Sequence, residues 1–178
     1  MACAQTISGL AKDCEVNMGG IRKVFVAIFD DVASMTESNG QISAITMDNL
    51  KKFKTFLFAD GSASFKTTPT YDRTNGVHFY TTELTMVFSR METVKRVEMS
   101  ALSLSELAVI VQDKNGLYWY LGHDEPVAAS AGEGATGTAR ADRNGYSITL
   151  QDNSLDWPME VKSDAIAEIV DDAPTSAE

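Results

Sequence analysis

The pattern of apolar and polar positions along the chain predicts a protein built mainly from β-strands. Residues 21–29 are rich in β-branched and aromatic side chains, as buried strands are. Residues 41–58 fit a helical face as well as a strand, and the aromatic residues near their end favour a strand. Residues 62–71 predict an extended strand, which Pro69 restricts to a sheet edge or a projecting arm.

The clearest long strand covers residues 77–88 and follows a hairpin turn at Asn75-Gly76. Neither of its faces is cleanly polar, which predicts cover on both sides, by a core and by a neighbouring subunit. Ser89 followed by Glu92 forms a capping box and predicts a helix that runs to about residue 104 or 107. The spacing predicts that this helix buries one face, made of Val94, Val97, Ala101 and Leu104.

The second half of the chain predicts shorter elements separated by turns. We expect strands at residues 108–111, 117–121, 138–141, 146–150 and 157–161, a mobile loop at 123–137, and a short helix over 165–170. The total is seven or eight strands with one internal helix. This predicts a fold that is mainly β with one packed α-helix, a β-sandwich or a partly closed barrel.

A single β-rich domain is expected over residues 1–163, followed by an acidic tail at 164–178. The chain has 178 residues and a formal net charge of -10. Residues 152–178 carry eight acids and one base, which leaves a net charge of -3 for the remainder. No basic stripe is present, so binding of nucleic acid through its phosphates is not expected. An acidic body would suit a surface past which DNA slides without sticking, and acidic charge also keeps a protein soluble.

The sequence predicts no catalytic, cofactor or metal site. His78 and Glu83 lie on opposite faces of their predicted strand, so they cannot form an acid–base pair. His123 with Asp124 and Glu125 predicts a solvated turn, since no second cluster of ligands completes a metal shell. The glycines of residues 131–138 lack the Lys-Ser/Thr ending of a phosphate loop.

The two cysteines, Cys3 and Cys14, are too few for a disulfide scaffold, and we expect free thiols, although they could pair. A reactive Cys14 flanked by Asp13 and Glu15 would need a base from elsewhere in the fold. The first residues lack the pattern of a signal peptide, and no apolar run is long enough to span a membrane. We therefore expect a protein that is assembled in a cytoplasm.

Three stretches carry a resemblance to a known family. They are DCEVNMGGIRKVFVAIFDDV at residues 13–32, AVIVQDKNGLYWYLG at 108–122 and TGTARADRNGYSITL at 136–150. In its order of strands and turns the chain resembles the tail-tube and collar-ring proteins of tailed bacteriophages that infect Bacteroidetes, including crAss-like phages. The resemblance covers most of residues 1–163 and contains no catalytic signature.

The resemblance implies a virion structural protein, not an enzyme, that assembles in the host cytoplasm into a ring of six or a multiple of six copies. The ring would surround a DNA channel, contact adjacent virion rings, and need neither cofactor nor membrane. A projecting hairpin at about residues 55–88 would help to form it, because paired edge strands leave no open sheet edge. The predicted subunit interface consists of Phe56, Phe58, Phe65, Pro69, Tyr71, Val77, Phe79 and Tyr80.

Two other functions stay open on the sequence. A monomeric β-barrel could bind a small ligand in an apolar pocket lined by Tyr80, Met86 and Trp119. A cysteine-dependent enzyme would use Cys14 as its nucleophile. The first predicts a monomer in solution, and the second predicts activity that is lost when Cys14 is replaced.

Overall fold

The chain folds into two β-sheets and one main helix. A computed structural model describes residue 7, residues 9–12 and residues 14–171. Strands make up 52% of it, which confirms the predicted mainly β fold with one main helix. The described residues form β1 (Ile21–Ile28), β2 (Val32–Ser38), β3 (Gln41–Met47), β4 (Phe53–Phe56), β5 (Ala63–Asp72), β6 (Val77–Ser89), α1 (Thr93–Leu104), β7 (Leu107–Asp113), β8 (Tyr118–Leu121), β9 (Ala128–Ala135), β10 (Gly145–Ser154), β11 (Met159–Val161), α2 (Ser163–Ile166) and β12 (Val170–Asp171).

The larger sheet, sheet A, has the strand order β12-β4-β1-β7-β8-β11-β3-β2 and curls into a half-barrel. Its central strands β1 and β7 are antiparallel, with Ile21 opposite Asp113 and Ile28 opposite Leu107. Both strands are buried on both faces over most of their length, which explains their nearly continuous apolar sequences.

The smaller sheet, sheet B, has the order β5-β6-β10-β9, with every neighbouring pair antiparallel. Alternate residues of β6 and β10 point inwards, and among them Leu84, Met86 and Leu150 are fully buried. Odd-numbered residues point away from the core. Sheet B therefore has one apolar face and one face that the described chain leaves open.

Two cores hold the molecule together. The first lies between the sheets and joins residues such as Val109, Leu84 and Ile148. The second fills the inside of the curled sheet A, where Phe53, Ile110 and Tyr120 pack against Ile166 near the end of the described chain. The buried Ile166, Ile169 and Val170 show that the packed domain continues past the predicted boundary at residue 163.

The helix α1 is present, but two details of its prediction were wrong. Its first residue is Thr93, and the N-cap is Glu92, whose side chain makes no capping hydrogen bond, so the capping box does not form. Leu102, and not the predicted face, is the buried residue of α1. Val94, Val97 and Leu104 are at least half exposed, because the helix contacts the first core through a narrow stripe that Leu102 and Met99 supply.

The predicted mobile loop at residues 123–137 was also wrong, because residues 128–135 form the edge strand β9. At one position of this strand a packed neighbour requires glycine. A Cβ at Gly134 would lie 2.9 Å from the ring of Tyr146, which occupies that space. Residues 138–141, predicted as a strand, belong instead to the turn between β9 and β10, where the N–H groups of Thr138 and Ala139 both donate to Asp142 Oδ2 at 2.7 Å.

Candidate assembly surfaces

Among the described residues, nothing pairs with either edge of sheet B. At one edge, β5 pairs only with β6 over ten residues. At the other edge, β9 pairs only with β10. Each edge presents unpaired backbone N–H and C=O groups, which form a template for another strand. Because the four strands alternate in direction, β5 and β9 run antiparallel to each other, so a copy added at one edge would continue the antiparallel order.

The outward face of sheet B is polar and has little net charge. The side chains on it are mainly Thr, Ser, Asn, Gln and Ala, and none of them is buried. Alternation places one base and three acids there: Lys66, Asp72, Glu83 and Glu133. The net charge of this face is therefore -2, and Lys66 stands directly opposite Glu83. Such a face offers no cluster of cations to a nucleic acid backbone.

The hairpin formed by β5 and β6 projects less than the sequence predicted. Within β6, residues 80–89 also pair with β10, so they belong to the body of the sheet. Only residues 70–79 extend beyond β10. At this tip Tyr71 stacks on His78, with the ring centroids 4.7 Å apart.

The eight predicted interface residues occupy three different environments. Phe56, Phe58 and Phe65 pack against the first core of their own chain. Tyr80 is buried and lies against Trp157, with ring centroids 5.0 Å apart. Pro69 and Phe79 are half-buried, while Tyr71 and Val77 are exposed at the hairpin tip. The most accessible of these residues thus lie at the tip, and the structure adds the open backbone edges of β5 and β9.

The residues of the ligand-pocket alternative do not meet in one place. Tyr80 and Met86 share a face of β6 but are six residues apart, which is ~20 Å along a strand. Met86 is fully buried in the first core. The indole N–H of Trp119 donates to Asp113 Oδ2 at 3.3 Å, at the turn between β7 and β8.

Cys14 is an exposed free thiol, and Cys3 lies outside the described residues. Both histidines contact other groups. His78 lies between Tyr71 and Tyr80, and His123 is bonded to two carboxylates. The described part of the chain also contains no group of three or more His, Cys, Asp or Glu residues placed to hold a metal ion.

His123 forms a clamp that the sequence did not predict. Its Nε2 is 2.8 Å from Glu37 Oε1 in β2, and its Nδ1 is 3.0 Å from Asp124 Oδ1. Burial lowers the pKa of His123, but the hydrogen bonds to Asp124 and Glu37 outweigh burial and leave it above the usual value. Asp124 in turn accepts the N–H of Leu155 at 2.8 Å. These contacts tie β2 of sheet A to the residues that follow β10.

A small cavity lies next to this clamp, with His123 and Asp124 in its lining. Its lining includes Tyr120, Asp152 and Ser154. The Tyr120 hydroxyl and Asp152 Oδ1 are both buried, and neither has a hydrogen-bond partner in the part of the chain that the structure describes. Burial raises the pKa of Asp152 to about 6, partly offset by a hydrogen bond from the Gly122 N–H, and nearby Asp124 raises it further. Ionisation of Asp152 is therefore less favourable in this cavity than in water.

Among the described residues, no helix is long and apolar enough to cross a membrane. Comparisons of the chain with protein-family models, with curated proteins and with solved structures found no match.

Proposed function

We propose that this protein is a structural subunit that assembles with copies of itself into a closed ring, of the kind found in phage tail tubes and collars. One observation carries the proposal: the described residues leave a four-stranded antiparallel sheet with two open edges and an uncovered, mostly polar face. Pairing β5 of one copy with β9 of the next would satisfy both edges, and a rotational symmetry would close the ring. The sheets of all copies would then form one continuous barrel.

The outward face of sheet B would line the channel of such a ring. Most of its side chains are polar, apart from Val77, Phe79 and Val87, and its net charge is slightly negative, so DNA would find few cations to bind on it. The apolar face of the same sheet is already covered by the first core. The resemblance noted in the sequence suggests the same role in a virion, with DNA as cargo and not as a bound ligand.

The edge strands themselves provide the test. Thr68 lies on β5 and Ala131 on β9, and both side chains are exposed on the outward face. Lysines on edge strands oppose strand pairing, and lysines at these two positions would also repel each other across the new contact. The double variant Thr68→Lys/Ala131→Lys should therefore remain a monomer, while the parent chain forms a particle of many copies in sedimentation-equilibrium measurements.

The matched control places the same charge away from the edges. Asn75→Lys changes an exposed residue in the turn between β5 and β6, and it should still assemble. All variants should keep the melting temperature of their fold, which circular dichroism measures. A parent chain that stays monomeric at high protein concentration, or edge variants that assemble like the parent, would refute the proposal.

A further inference from the structure

Four asparagines of this chain are each followed by glycine, a sequence in which asparagine readily loses its side-chain amide. They are Asn39, Asn75, Asn115 and Asn144. The main-chain nitrogen of the next residue can attack the side-chain carbonyl carbon of asparagine, and glycine hinders this attack least because it has no Cβ. The reaction needs a side-chain amide that can rotate and a glycine N–H that no hydrogen bond holds. The structure meets these two requirements to different degrees at the four sites.

Two of the four sites are held by contacts within their own turns. At Asn75, Nδ2 donates to Asp72 Oδ2 at 2.6 Å, and the main-chain N–H donates to Oδ1 of the same carboxylate at 3.2 Å. At Asn144, the main-chain carbonyl accepts the N–H of Arg90 at 2.6 Å. The glycine that follows, Gly145, is buried at the start of β10. Attack at either site therefore first requires the local structure to open.

The site at Asn115 is held at both reacting groups. Its Oδ1 accepts the N–H of Met18 at 2.8 Å, and its Nδ2 donates to Asn17 Oδ1 at 3.0 Å. The N–H of Gly116, which would be the attacking group, donates to the carbonyl of Asp113 at 3.2 Å. Neither the amide nor the attacking nitrogen is free to move towards the other.

Asn39 is in a different situation. With Gly40 it forms the two-residue turn between β2 and β3, where Ser38 pairs with Gln41. The φ angles are 55° for Asn39 and 76° for Gly40, as such a hairpin turn requires. Both residues are exposed, and beyond its chain neighbours nothing lies within 4 Å of where a Cβ of Gly40 would stand. Among the residues that the structure describes, no hydrogen bond holds the Asn39 side chain or the Gly40 N–H.

We propose that Asn39 is a site of spontaneous deamidation, which proceeds through a cyclic imide. The nitrogen of Gly40 forms a bond to Cγ of Asn39, and the side-chain nitrogen leaves as ammonia with the proton that the Gly40 nitrogen gives up. Water then opens the ring at one of its two carbonyls. Cleavage of the new bond to Cγ gives aspartate, and cleavage of the original peptide bond gives isoaspartate. The only co-reactant is water.

The modification would act on the clamp of His123. Either product places a carboxylate two residues from Glu37, whose Oε1 is 2.8 Å from His123 Nε2. Isoaspartate also adds one carbon atom to the main chain of the turn, so Ser38 and Gln41 could not keep their present register. Because β2 is the last strand of sheet A, we expect the change to loosen this edge and to leave both cores intact.

Incubation of the full chain at mildly alkaline pH, followed by peptide mass spectrometry, measures the conversion of each asparagine. In the folded chain, Asn39 should convert at least ~10-fold faster than Asn75, Asn115 or Asn144, because attack at those sites must first break hydrogen bonds. In urea, where the chain is unfolded, the four sites should convert at similar rates. Enzymatic methylation specific for isoaspartate should label the peptide that contains residue 39, since direct hydrolysis of the amide gives no isoaspartate.

Two matched variants test the role of the attacking nitrogen. Aspartate tolerates positive φ better than most residues, but its side chain hinders the attack, so Gly40→Asp should slow the conversion of Asn39 to the rate of the held sites. Gly76→Asp makes the same change after Asn75, where φ is 68°, and it should leave the conversion of Asn39 unchanged. Circular dichroism checks the fold of both variants, and the comparison of folded with unfolded chain needs neither of them.

Three results would overturn the inference. They are equal conversion at another Asn-Gly site of the folded chain, a product at residue 39 without isoaspartate, and conversion in a folded Gly40→Asp chain that equals the parent's. The Thr68→Lys/Ala131→Lys chain should behave like the parent, since sheet A takes no part in the proposed edge pairing. The inference and the ring proposal can therefore fail independently of each other.

Discussion

Asp152 should destabilise the folded protein at neutral pH, and Asp152→Asn should therefore stabilise it. Burial raises the pKa of this carboxyl from 3.8 to about 6, so the folded chain holds the proton more tightly than the unfolded chain does. Each pKa unit corresponds to ~1.36 kcal/mol, so the full cost of ionisation in the folded state is about 3 kcal/mol above pH 6. Asparagine has nearly the same shape and cannot ionise.

The sign of the pH dependence follows from the same shift. The folded state gains stability relative to the unfolded state as the pH falls from about 6 towards 4, because it takes up the proton first. Asp152→Asn should thus raise the free energy of unfolding by up to about 3 kcal/mol at pH 8, and the advantage over the parent should vanish near pH 4.

Urea denaturation between pH 4 and pH 8, followed by tryptophan fluorescence, measures this difference. The monomeric Thr68→Lys/Ala131→Lys background keeps assembly out of the equilibrium. Asp156→Asn is the matched control, because Asp156 is exposed in the segment that follows β10, and its replacement should leave the pH profile unchanged. A uniform loss of stability in Asp152→Asn at every pH would refute the reasoning, since it would mean that the carboxylate is favourably held.

Two further predictions concern the packing of β10 and the histidine clamp. A Cβ at Gly145 would overlap the carbonyl oxygen of Phe88, so Gly145→Ala should lower the free energy of unfolding by about 1–3 kcal/mol in urea denaturation. Gly132→Ala is the control, because a Cβ at Gly132 meets only an ordinary contact at 3.8 Å, and its stability should stay close to that of the parent. Glu37→Gln removes a carboxylate bonded to His123, so it should lower the pKa of His123 measured by NMR titration. The stability that the clamp contributes is present below pH 6.5 and disappears as the pH rises through the raised pKa, so an unchanged pKa in Glu37→Gln would contradict this account.

The sequence predicted best the strands whose own residues carry a strong local signal. The apolar runs of β1 and β7 and the turn at Asn75-Gly76 are strong local signals, and the structure confirms the strands and the hairpin. In the turn between β7 and β8, the carboxylate of Asp113 accepts the N–H of Leu117 at 2.9 Å.

Elements that depend on distant neighbours could not be predicted in this way. In the strand β9, Tyr146 occupies the space that a side chain at Gly134 would need, and no local pattern reveals that neighbour. Likewise, α1 buries Leu102 and not the more regular row that includes Val97, because the position of the helix at the margin of the first core decides which side faces inwards.

The clamp of His123 shows the same limit at the candidate surfaces. Its partner Glu37 is 86 positions away in sequence, so the residues adjacent to His123 predicted only a solvated turn. The open edges of sheet B were partly predictable, since Pro69 indicated an edge strand. The partner edge β9 became visible only with the sheet order.

The central claim is that copies of this chain pair through β5 and β9 to close a ring. Negative-stain electron microscopy of the purified parent chain tests it most directly, with the Thr68→Lys/Ala131→Lys chain as the comparison. The account predicts discrete rings with a central hole for the parent and only small, compact particles for the double variant. A field of monomers from the parent chain at high concentration, or identical rings from both chains, would contradict it.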